Sequence, residues 1–74
     1  MTIRINALDF QTADDAIQHT YASGEGVAIR LIGEPLVVLQ EDADRLDAAG
    51  VEFAYLHDHE MPDGSYRIVI VPVN

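Results

Sequence analysis

From Val27 to Leu39 the chain is apolar but for Arg30 and for Gly33-Glu34-Pro35, which has the composition of a tight turn. Val27, Ile29 and Leu31 alternate with Ala28, Arg30 and Ile32, the pattern of a mostly buried strand. Gly33-Glu34 fits a two-residue turn with glycine in its first central position. Pro35 falls where the next strand begins and a missing N–H is tolerated, and Leu36 to Leu39 complete a hairpin. Whatever the rest of the chain does, it must cover this hairpin.

Helix-like segments flank it. Thr12 is placed to cap a first helix, with Asp14 and Asp15 in the first turn complementing the helix dipole. Ala13, Ala16, Ile17, Thr20 and Tyr21 form one modest apolar face, and Gly24 is a natural terminator. A second, acidic helix is expected over Glu41–Ala49, ending at Gly50, with Ala43, Leu46 and the last alanines toward the core. Thr2 to Ala7 reads as a first strand, and Val51 to Leu56 as another, with Val51, Phe53 and Tyr55 on one side. After a polar loop containing Pro62-Asp63-Gly64, Tyr66 to Val73 is the last strand. Ile68-Val69-Ile70-Val71 is apolar on both faces, so burial on both sides is expected, while Pro72 suggests an edge or the end of pairing. The expected fold is α+β: an antiparallel sheet and two short helices in the order β-α-β-β-α-β-β.

Seventy-four residues make a single domain, 1–74, near the lower limit for a self-sufficient core. Chains below roughly 70–80 residues usually add disulfides, a metal or a partner subunit. Cysteine is absent, which excludes disulfides and thiolate metal sites. Left exposed, the last strand is also an aggregation hazard that a second copy would cover. A homodimer is therefore expected. Thirteen acidic residues stand against four basic ones, all arginine, for a formal charge of −9. That balance disfavours unaided binding of nucleic acid or anionic lipid and suits a basic protein partner. With neither a signal-peptide pattern nor a long apolar run, a cytoplasmic protein without membrane contact is expected.

Gly24-Glu25-Gly26-Val27, Gly33-Glu34-Pro35 and Leu36-Val37-Val38-Leu39, set between two helices, give residues 13–46 a pattern that resembles the Phd/YefM class of antitoxins. The family-like portion is 1–50, and residues 51–74 form a C-terminal hairpin. The resemblance implies a dimeric antitoxin-like regulator that engages a protein partner such as a toxin. It also implies operator binding through basic groups, for which Arg4 and Arg30 are the candidates here. Two features depart from the family pattern. Leu31, Ile32 and Glu34 occupy the turn positions where basic residues are usual, and a structured hairpin replaces a polar tail.

Two further groups of residues could carry chemistry or contacts. His57, His59 and Glu60 are candidate ligands for zinc, nickel or copper, the two histidines pointing the same way if the chain is extended. The bland alternative is a solvated loop. Tyr21, Tyr55 and Tyr66 are candidate partner-binding anchors, because tyrosine is enriched at interfaces; otherwise they are core-edge aromatics. His19 reads as a helix-surface residue. Ser23 and Ser65 lie outside any nucleophile motif, no catalytic residue or cofactor is assigned, and a non-enzymatic protein is expected.

Overall fold

The computed structural model describes residues 5–73. Its elements are β1 (Ala7–Asp9), α1 (Ala13–Ser23), β2 (Val27–Leu31), β3 (Glu34–Val38), α2 (Gln40–Ala48), β4 (Phe53–Glu60) and β5 (Tyr66–Val73). The five strands form one antiparallel sheet in the order β1-β3-β2-β4-β5, so the α+β order read from the sequence is the observed one.

The apolar hairpin sits at the centre of the sheet and separates two cores. Neighbouring residues of a strand point to opposite faces. Ala28 and Val37, with Leu56, pack under Ala16 and Ile17 of α1. Ile29, Leu36 and Val38, with Phe53, pack under Ala43 and Leu46 of α2. The helices therefore cover opposite faces of the sheet, which is why both strands of the hairpin are apolar on both sides.

Local chemistry accounts for both ends of α1 and for the last turn of α2. The Thr12 hydroxyl accepts from the Asp15 N–H at 3.1 Å, and Gly24 donates its N–H to the Thr20 carbonyl at 3.0 Å. At the end of α2 the Val51 N–H reaches the Leu46 carbonyl and the Gly50 N–H reaches Asp47, both at 3.0 Å. That pair of bonds closes the helix as a Schellman turn and carries Val51 onto the core beside Leu46. The last alanines of α2 stay exposed; the third buried position is Asp42, 7% exposed and paired with Arg45 at 3.2 Å.

Four expectations need correcting. The first strand is Ala7–Asp9, where Leu8 and its neighbours pair with β3 from Leu36 to Val38; Thr2–Arg4 lie outside the described residues. The central turn is Ile32-Gly33, not Gly33-Glu34, because Leu31 pairs directly with Glu34. Both turn residues are left-handed, at φ 51° and 75°, the type I′ geometry that matches strand twist. The His57–Glu60 stretch is strand rather than loop, since all four residues pair across to β5. Finally, Ile68 to Val71 are not buried: β5 is an edge strand, and these four residues are 38–46% exposed on both faces.

β4 and β5 stay in one unbroken register from Phe53↔Val73 to Glu60↔Tyr66. By contrast, β2 meets β4 at only two pairs, Ile29↔Tyr55 and Arg30↔Ala54. Extending that register sets Val27 against His57. Asp58 to Glu60 and their β5 partners therefore run past the start of β2 as a two-stranded arm, and the molecule is elongated, 46 × 24 × 19 Å. At the arm's tip the Met61 N–H donates to Ser65 and the Gly64 N–H to Met61. Asp63 accepts from both the Ser65 hydroxyl and its N–H, at 2.6 and 2.9 Å, which holds its carboxyl below the ordinary 3.8.

Candidate functional site

Alternation along β4 divides the candidate residues between the two faces. His57 and His59 point to the α2 side with Tyr55, and Tyr55 stacks on the His57 ring at 6.3 Å. Asp58 and Glu60 point to the α1 side, across from Ile68 and Tyr66. The histidine pair is thus arranged as the sequence suggested, but Glu60 is on the other face of the strand. Among the described residues no group of three histidine, cysteine, aspartate or glutamate side chains is arranged to hold a metal ion.

The tyrosines divide in the same way. Tyr55 belongs to the α2 face, edge-on to Phe53 at 5.4 Å, with its hydroxyl accepting from Gln40 Nε2 at 3.1 Å. Tyr21 and Tyr66 belong to the α1 face and come together there. They line an open hollow of about 450 Å³ between α1 and the arm, with Asp14, Gln18 and Asp58. Both rings are largely exposed, 62% for Tyr21 and 67% for Tyr66. The Tyr21 hydroxyl donates to Asp58 Oδ1, a hydrogen bond that ties the arm to the helix. That bond first, then loss of solvent around the hydroxyl and the nearby Asp58 charge, push the Tyr21 hydroxyl above its ordinary 10.0.

Two carboxylates and two tyrosine rings lining one hollow are groups that can hold a cation. An ammonium or guanidinium gains charge-assisted hydrogen bonds from the acids and attraction to the ring faces. Asp58, Asp14 and Gln18 were not among the site residues read from the sequence. The signal that would have found Asp58 is the alternation of the strand it was not assigned to.

Of the two candidate DNA contacts only Arg30 is among the described residues. Arg30 is exposed on β2, beside a separate hollow of about 270 Å³ with Pro35, Leu56 and Ile70, and Arg4 lies outside the described residues. His19 is half-buried, its ring 5.3 Å from Phe10. Among the described residues no helix is long and apolar enough to cross a membrane.

No family model matches the chain, and no curated protein or solved structure matches it, so the likeness of residues 13–46 to the Phd/YefM class stands on its short motifs alone.

Proposed function

We propose that this chain is a non-enzymatic, antitoxin-like regulator that binds a basic protein partner, using the hollow between α1 and the β4–β5 arm to seat arginine or lysine side chains. The observation that carries the reading is the meeting of Tyr21 and Tyr66 over Asp14 and Asp58 on a chain of net charge −9. Exposed aromatics beside carboxylates combine contact area with charge selectivity, and the surrounding negative field speeds the encounter with a basic chain.

The test is capture from a lysate of the native host at moderate and high salt, with wild-type chain and with Tyr66→Ala. A stoichiometric basic protein is expected on the wild type, released by salt and reduced at least tenfold by the substitution. Capture of nothing, or of a partner indifferent to Tyr66 and to salt, overturns the proposal.

A further inference from the structure

The free edge of β5 is unusual in what it lacks. Strands at sheet edges are normally kept from pairing by shortness, lysines, bulges or prolines. This one is eight residues long, pairs without a bulge along its whole length, and carries only Arg67 near one end and Pro72 near the other. Between them Ile68, Val69, Ile70 and Val71 are exposed on both faces, with Tyr66 beyond, forming a strip on the few-hundred-Å² scale of functional patches. Its first three residues, Tyr66 to Ile68, also belong to an arm of two strands, an arrangement that is marginal in water without further cover.

We infer that the β5 edge binds the β5 edge of a second copy of this chain, antiparallel, making one continuous ten-stranded sheet. The local charge of β5 admits this occupant despite the net charge of each copy. The chain carries thirteen acidic residues, yet β5 has none and one arginine, so two strongly negative molecules can approach along this line without setting carboxylates against each other. Symmetry agrees. A twofold axis perpendicular to a sheet keeps each face on its own side, so the residue at the centre must oppose itself. Centring on Val69 sets Ile68 of one copy against Ile70 of the other; centring on Ile70 sets Val69 against Val71. Either way apolar residues meet on both faces. The strip is small beside the interfaces of obligate dimers, so the association is concentration-dependent. It goes beyond the partner-binding reading and uses the edge of β5, which adjoins the hollow at Tyr66.

Sedimentation equilibrium across a wide concentration range, at low salt and at about 0.5 M NaCl, tests it. A monomer–dimer equilibrium that tightens with added salt is expected, because screening relieves the repulsion between like-charged chains. Salt acts in the opposite sense on a basic partner. Val69→Lys and Ile70→Lys point to opposite faces of the edge, and each is expected to weaken the dimer at least tenfold while circular dichroism stays native. Leu8→Lys, on the far edge strand β1, is expected to leave it intact. A chain that stays monomeric throughout overturns the inference, as does a dimer lost on Leu8→Lys, insensitive to both β5 variants or sensitive to only one. Monomeric Ile70→Lys that still captures the basic partner separates this interface from the hollow; failure to capture by a wild type that dimerises sinks the functional proposal alone.

Discussion

Ile32 sits at φ 51° with 94% of its surface in solvent, in the first position of a turn that favours asparagine or glycine. A β-branched side chain is strained there and gains nothing from packing. Ile32→Asn is expected to stabilise the fold by about 1 kcal/mol, read as a higher melting temperature. Gly26 is the opposite case. Its φ is 83°, and a Cβ there would lie 2.9 Å from the Val38 carbonyl oxygen, backbone that cannot swing aside. Gly26→Ala should cost about 2–3 kcal/mol in a denaturant titration. At Tyr21 the neutral hydroxyl is the favoured form, because only it can donate to the Asp58 carboxylate. The stability this bond lends is complete below pH 10.0 and is lost as pH rises through the raised value. In a Tyr55→Phe, Tyr66→Phe background, phenolate absorbance should show a midpoint above 10.0 that falls toward it on Asp58→Asn.

At the scale of elements, what was legible in the sequence is what local chemistry decides. α1 reads directly from Thr12, Asp15 and Gly24, and it forms between those limits. The central hairpin reads from its apolar strands. Its turn shifted by one residue because the sequence favours Gly33-Glu34, whereas the register of ten facing residues places Ile32-Gly33 at the bend. β4 ran four residues past its apolar stretch, since backbone pairing with β5, rather than side-chain hydrophobicity, sustains it. That error hid the site, because only a strand sends Asp58 toward Tyr21 and His57 away. The same bond makes a testable claim about the arm. Tyr21→Phe should speed amide hydrogen exchange in Asp58–Glu60 and their β5 partners, leaving the β2 and β3 amides protected as before.

For the whole molecule, the radius of gyration is 12.5 Å, against about 11 Å for a compact chain of this length. The arm accounts for the difference, and its exposure is the part of the structure that strand composition alone misjudged: two-sided apolarity meant burial for β2 and β3, and a bare edge for β5. Sequence settles that a strand is apolar; its rank in the sheet decides what covers it. Net charge acts at this scale too, as self-repulsion of the folded state. Screening falls from about 30 Å at 0.01 M salt to about 3 Å at 1 M. Melting temperature at pH 7 should therefore climb with sodium chloride, measured at dilutions where self-association makes no contribution. The slope should flatten as pH approaches 4.3, where the net charge vanishes.

The two margins of the sheet are unequal: eight residues on β5, three on β1. In the language of polymers, the pairing proposed for β5 gives the molecule a valence of one. A unit with two sticky ends propagates into a filament, whereas a unit with one can only terminate its neighbour. Lengthening the short margin, more than weakening the long one, is the change that would turn a closed pair into an open chain.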